Sequence, residues 1–556
     1  MALKVWKGLA VLLAVVLVLA TTPSRAAPKD SLVIGISQFP STFHPNIDSM
    51  MAKSYILAFT RRPMTTWGPD WKLACLLCTD LPTLENGGAV RETTPEGKPG
   101  VAVTYRIHPQ ATWGDGTPVT SRDVAFTVRV GRDPRSGFAS AESYRHIHQV
   151  DTPDDKTVVL HVDKLDFTYN DLSTMGLIPE HLDREAAHDP ALYRTRTTFD
   201  TDTTNPGLYF GPYRITRVVP GAHVVLEPNP TWYGPVPAFK RIVVRAIGNT
   251  AALEANLLSG EIDMIAGELG LTVDQALAFE KRHGGRYAMV YKPGLIYEHV
   301  DLNRDNPILQ DARVRQALLL ALDREALTQQ LFAGRQPVAH TSINPLDPAF
   351  ADDVPTYAHD PQRAADLLAE AGWGRLQGGV RVNDRGEPLR LEIMTTAGNR
   401  TRELVEQVLQ SAWKQVGVQV TIRNEPARVF FGQTVTQRRY PAMAMYAWIS
   451  APESVPKTTL HSAYIPTEAN NWAGQNSAGY ANPEMDTLLD TLELEMDPEK
   501  RQALWRQLQH IYAADLPALP LYFRANAHIW PKWLTGVTPT GNQFPSSLWV
   551  ERWGAK

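Results

Sequence analysis

Between Leu389 and Arg423 the chain carries a pattern that few architectures accommodate. Leu389, Leu391 and Ile393 alternate as a strand, and Thr395 to Arg400 form a polar loop. Leu404, Val405, Val408, Leu409 and Ala412 recur as a helical stripe, Gly417 stops the helix, and Val418, Val420 and Ile422 alternate again. This is a strand–helix–strand unit. Its strands are expected to lie parallel in one sheet, because so short a unit can return only by a helical crossover. The loop before the helix then sits at the carboxyl edge of the sheet, where open α/β folds bind ligands and where free helix N–H groups favour a carboxylate.

The same alternation recurs elsewhere. Ser31 to Ile36, Val103 to Ile107, Lys156 to Val162 and Arg241 to Ile247 read as short strands. Thr120 with Asp123 forms a capping-box pattern. Asp360-Pro361, Asn482-Pro483 and Asp497-Pro498 each place a capping side chain before a proline at the first helical position. From Asp311 onward, Val314, Leu318 and Leu322 recur every four residues up to Gly334, which predicts one amphipathic helix.

Lys4 and Lys7 precede an apolar run from Leu9 to Ala20, and Ser24-Arg25-Ala26 follows as a small-x-small cleavage site. This predicts a cleavable signal peptide over residues 1–26, since a run of that length is too short to span a bilayer. No cysteine stands at the cleavage point for a lipid anchor, so a protein released into the periplasm is expected. Removing Lys4, Lys7 and Arg25 takes the net charge from −4 to −7, which offers no footprint for nucleic acid. The remaining chain, about 530 residues, exceeds what one core supports, so two or more lobes are expected. Among function classes, no P-loop, G-x-S-x-G elbow or HExxH spacing is present.

Several segments, in order along nearly the whole chain, resemble the extracellular solute-binding proteins of the dipeptide, oligopeptide and nickel class, family 5. They are Tyr105 to Pro109 with Trp113 to Val124; Phe210 to Ile215 with Glu227 to Tyr233; Leu258 to Asp263; Asp311 to Asp323; and Asp360 to Trp373. The resemblance implies an α/β, periplasmic binding protein-like fold with two lobes and a hinge, the first lobe carrying an extra inserted domain. It places the first lobe at residues 27–75, 206–293 and 524–556, the insert at 76–205 and the second lobe at 294–523. Chain crossings fall near Pro293 and Phe523. The implied function is capture of a small solute, foremost a di- or oligopeptide, for the transmembrane permease subunits of an ABC importer. The protein would be a monomer without cofactor, metal or catalysis. A nickel chelate, haem or an oligosaccharide is the alternative ligand, and a secreted hydrolase the distant alternative function.

Five places are candidates for ligand contact. Phe39, Thr42 and Phe43 lie in the loop after the first strand, which could equally be a plain surface turn. Asn399 and Arg400 lie in the loop before the helix, where Asn399 also suits a cap and Arg400 a ligand carboxylate. Tyr446, Trp448 and Glu453 form the third group. Peptide-binding relatives often carry, soon after this Trp, an Asp that meets the ligand's α-amino group. Here Ser450 and Ala451 stand in that region and Glu453 is the nearest acid. Asn471 and Trp472, near Gln475 and Asn476, are the fourth. Tyr297 and His299 are the fifth, in a strand where only one alternating set can face a cleft. Cys75 and Cys78 are expected as a structural disulfide in an oxidising compartment, with reduced thiols or redox chemistry as alternatives.

Overall fold

The computed structural model describes residues 29–47, 50–138, 141–426, 429–470 and 474–556, so the signal segment, Asn471 and Trp472 lie outside the described residues. Ten strands form one twisted mixed sheet. Its spatial order is Gln419–Ile422, Arg390–Met394, Met443–Ile449, Tyr287–Leu302, Ala518–Pro531, Met264–Ile265, Ser31–Ile36, Arg241–Ala246, His223–Pro228 and Tyr213–Val219. The predicted strand–helix–strand unit is present: Arg390–Met394 and Gln419–Ile422 are parallel, joined by the helix Arg400–Gln415. Gly417 takes φ +84°, the left-handed conformation that ends the helix. The proline-led helices start as read from sequence, with Asp360, Asn482 and Asp497 each accepting a backbone N–H of the first turn. The run from Asp311 to Gly334 is not one helix. Asp323 accepts the Ala326 N–H at 2.8 Å and begins a new helix, so Ala312–Leu320 and Arg324–Phe332 are separate elements. A four-residue period continues across a cap without registering it.

Two bodies hang on this sheet. One core gathers Leu32, Ile34, Ile242 and Val244 with Val101, Val103, Val158 and Leu160 of a separate four-stranded sheet. That smaller sheet, in the order Ala89–Thr93, Pro99–Arg106, Thr157–Val162 and Ile147–Asp154, therefore packs onto the first lobe as an insert sharing its core. The other core gathers Val300, Leu302, Leu319, Leu391, Val405 and Leu519.

The strands Tyr287–Leu302 and Ala518–Pro531 run through both bodies, antiparallel to each other. Their ladder breaks between Pro293 and Tyr297, opposite Arg524. A side chain at Gly294 would meet the Gly541 carbonyl oxygen at 2.5 Å, so the chain crosses here by close backbone approach. Beyond the break Glu298, fully buried, is held by Arg402 Nε at 2.6 Å and Arg524 Nη2 at 2.5 Å. Burial alone would raise the Glu298 carboxyl; the charges of Arg524 and Arg402 outweigh it and hold the group below its usual range. Glu298→Gln leaves two guanidinium groups without their counter-charge. It should cost about 3–5 kcal/mol in urea unfolding.

Glu406, on the helix Arg400–Gln415, is the opposite case. Burial pushes its carboxyl up to about 7, and among the described residues only Asn424 Nδ2 donates to it, at 2.8 Å. A raised folded-state value favours the native state fully below the ordinary carboxylate range and loses that contribution as pH rises through 7. Glu406→Gln should therefore raise stability in urea unfolding at pH 8, by an amount on the order of 1–2 kcal/mol after solvent screening. The gain should vanish near pH 4.5.

Candidate functional site

Antiparallel pairing of Tyr287–Leu302 with Met443–Ile449 sets Tyr297 opposite Trp448, His299 opposite Tyr446 and Asp301 opposite Ala444. Alternation then puts Tyr297, His299 and Asp301 on one face, while Val300 and Leu302 turn into the second-lobe core and Glu298 joins its arginines. On the first face lies a cavity of about 240 Å³, whose wall includes Tyr297, His299, Asp301, Trp448, Ser477 and Tyr512. Tyr297 and His299 are stacked at 4.9 Å between ring centroids. The hydroxyls of Tyr297 and Tyr512 lie 2.9 Å apart. His299 Nε2 is 3.3 Å from Asp301 Oδ1, and the Tyr446 hydroxyl donates to Asp301 Oδ2. Burial and the Asp301 charge push the Tyr446 hydroxyl well above its ordinary value, so it remains a donor.

A second cavity, about 500 Å³, lies against the first lobe, with Asn46, Met51, Arg61, Met175, Phe210 and Phe544 in its wall. Ile449, 69 % exposed, lines both cavities, so the two adjoin at this residue as a larger and a smaller half of the gap between the lobes. Among the described residues their linings differ in charge. The larger half has Lys53, Arg61 and Arg62 and no acid; the smaller has Asp301 and no lysine or arginine. Lys53 Nζ donates to the Ile47 carbonyl oxygen and Arg62 pairs with Glu551 at 2.6 Å. Arg61 packs between the rings of Phe199 and Phe210, and neither of its Nη atoms has a hydrogen-bond partner among the described residues. Burial lowers its guanidinium to about 9, which leaves it charged at neutral pH. Elsewhere the two bodies touch through Lys164, which meets Glu493 at 2.6 Å, and Arg501, which covers the Phe167 ring at 4.7 Å.

The residues singled out from sequence are thus partly gathered. Tyr297, His299 and Trp448 share the smaller half of the cleft, and Tyr446 backs it through Asp301. Phe39 and Phe43 pack on each other against the first-lobe core, and the Thr42 hydroxyl is 3.5 Å from Asp200; none of the three lines either half. Asn399 caps the helix by accepting the Arg402 N–H at 3.2 Å, and exposed Arg400 lies 3.9 Å from Glu403. Glu453 sits at φ +53°, its N–H donating to Asp347 and its carboxylate 4.0 Å from Arg501. It is held away from the cleft wall by that turn. Gln475 lines the cleft, whereas Asn476 is consumed by the His461 and Tyr480 carbonyls. Cys75 and Cys78 are joined as a disulfide. Asp301, Tyr512 and the whole first-lobe wall were missed. Asp301 alone carried a readable signal, an acid in an apolar strand at the same parity as Tyr297 and His299.

The sequence profile of the bacterial extracellular solute-binding proteins, family 5 (middle region), matches residues 95–471. The chain belongs to this family. As a family 5 solute-binding protein it is the substrate-binding component of an ABC importer, a role exercised outside the cytoplasm. It is 25 % identical over 457 residues to the oligopeptide-binding protein AppA of Bacillus subtilis, covering 81 % of this chain and 80 % of AppA. An oligopeptide-binding protein of Thermus thermophilus, solved with a pentapeptide, superposes with a TM-score of 0.70 at 31 % identity, covering 95 % of this chain and 97 % of that one. NikA of Brucella suis, solved with Fe(III)-EDTA, shares the fold with a TM-score of 0.77 at 19 % identity, covering 95 % of this chain and 100 % of NikA. Among the described residues of this solute-binding protein no helix is long and apolar enough to cross a membrane.

Trp448→Ala should remove the aromatic wall of the smaller half. Retention of the bound solute should weaken by about tenfold, or about 1–2 kcal/mol, in equilibrium dialysis, and ligand-dependent quenching of tryptophan fluorescence should shrink with it.

Proposed function

We propose that this solute-binding protein captures a short peptide between its lobes and hands it to the transmembrane permease subunits of its importer. The observation that carries the reading is the division of charge along the cleft. A cationic half without acids and an acidic half without lysine or arginine, continuous at Ile449, suit a zwitterion long enough to reach both. The aromatic and aliphatic walls between them accept side chains by area, not by hydrogen-bond pattern, as a site for varied peptides requires. Peptide ligands of the Bacillus and Thermus relatives support the same reading.

In this proposal the chain is exported by residues 1–26 and works as a released monomer without catalysis. Residues 27–75, 206–293 and 524–556 form the first lobe, 76–205 its insert and 294–523 the second lobe. The break in the crossing strands at Pro293 to Tyr297 serves as hinge. The Lys164–Glu493 pair then forms only on closure.

The test is mass spectrometry of what co-purifies from the periplasm, followed by titration of the emptied protein. Peptides should dominate the released material. At a hundredfold excess over the dissociation constant they should stabilise the protein by about 2.7 kcal/mol and reduce its radius in solution scattering. A haem, metal chelate or oligosaccharide as the sole retained species, with no compaction by any peptide, defeats the proposal.

A further inference from the structure

The insert has a cavity of its own, about 220 Å³. Register pairs Val103 with Leu160 and Ile147 with Val162, so these four, from three adjacent strands, share one face of the insert's sheet and floor the cavity. Tyr144, Thr174 and Met175 stand in its wall and also in the wall of the larger half of the gap between the lobes, so the two cavities adjoin there. Tyr144 and Met175 are buried and Thr174 is exposed, which leaves Thr174 beside the open space of the junction.

The charged groups and phenols of this wall are already engaged. Lys164 meets Asp166 at 3.3 Å and Glu493 at 2.6 Å, and His146 meets Asp163 at 2.8 Å. Asp171 accepts the Trp67 indole N–H at 2.9 Å and the Ser173 N–H at 2.7 Å. The Tyr144 hydroxyl donates to Asn46 Oδ1, and the Tyr169 hydroxyl accepts the Leu84 N–H. Arg61 of the larger half differs, with neither Nη atom hydrogen-bonded among the described residues. A polar guest in the insert's cavity would give up water for partners that are taken, which is costly. An apolar guest displaces water from the aliphatic floor, which is favourable.

We infer that this cavity is a side-chain subsite supplied by the insert, taking one large apolar side chain of the bound peptide past Thr174. The insert thereby selects among peptides by composition. The ligand is that of the peptide reading, on which this rests; the apolar preference follows from the wall alone.

The probe is a pair of pentapeptide libraries, one built from glycine, alanine and serine, the other carrying one leucine or phenylalanine at each position in turn. Both are presented to the ligand-free protein and read by mass spectrometry after ultrafiltration. Wild type should retain the second library better by about tenfold in at least one register, the scale of discrimination an apolar pocket gives. Ser143 is exposed and lines this cavity but not the larger half, so Ser143→Trp narrows the subsite alone. It should abolish the preference and leave retention of the small-residue library unchanged, with its fold checked by circular dichroism. Should it not fold, Thr174→Trp is read in its place, with Thr174→Ser keeping the preference. Equal retention of both libraries by wild type overturns the subsite while leaving peptide binding intact. A preference that survives the tryptophan substitution overturns it, as does equal loss of both libraries. If wild type retains no peptide, the peptide reading fails instead. The uncharged fluorophore phenylnaphthylamine then decides the subsite: a fluorescence rise in wild type that is absent in the tryptophan variant upholds an apolar site, and any other result overturns it.

Discussion

The buried Glu298, clamped between Arg402 and Arg524, is the contact on which the two-lobed arrangement turns. It joins both crossing strands and the helix Arg400–Gln415 at the point where the ladder between the strands is interrupted. A broken ladder inside a protein leaves polar groups to be satisfied. The ion triad, with Leu295 N–H donating to the Gly541 carbonyl and Asn344 Nδ2 donating to that of Gly294, satisfies them without restoring regular pairing. Charge held at short range in a buried site resists rotation of the strands beyond the break.

The same strand shapes the cleft. Because Glu298 points to the clamp, the neighbours at 297, 299 and 301 face the other way, and cross-strand pairing brings Trp448 and Tyr446 beside them. One strand thus carries the ion triad on one face and the wall of the smaller cavity on the other. The first lobe contributes the opposite wall from residues scattered between Pro45 and Leu548, brought together because its core is shared with the inserted sheet. Asp301 and Arg61 are segregated, and neither is paired with an oppositely charged lysine, arginine or carboxylate among the described residues. The cleft wall is therefore basic on the first-lobe side and acidic on the second-lobe side.

Much of this was legible locally. The strand–helix–strand unit, the proline-led caps and the Thr120–Asp123 capping box follow from short-range periodicity and hydrogen bonding, and the structure reproduces them. Local reasoning failed where a cap interrupts a period, as at Asp323. It left two roles open where a residue type suits both. Asn399 suited a ligand contact or a cap and takes the cap; Phe43 packs in the core; Glu453 is turned toward Arg501.

By itself the sequence determined the α/β class, the family and the parity that places Tyr297 with His299, because these depend on periods of two and about 3.6 residues and on motifs read in order. Only the tertiary structure decided which acids meet cations and which stand open. Glu298 and Asp301 share a strand and a side-chain chemistry, yet one is sealed by arginines more than a hundred positions away and the other faces the cleft. Burial and counter-charge are properties of what the fold brings alongside a residue, and no local pattern in the chain encodes them.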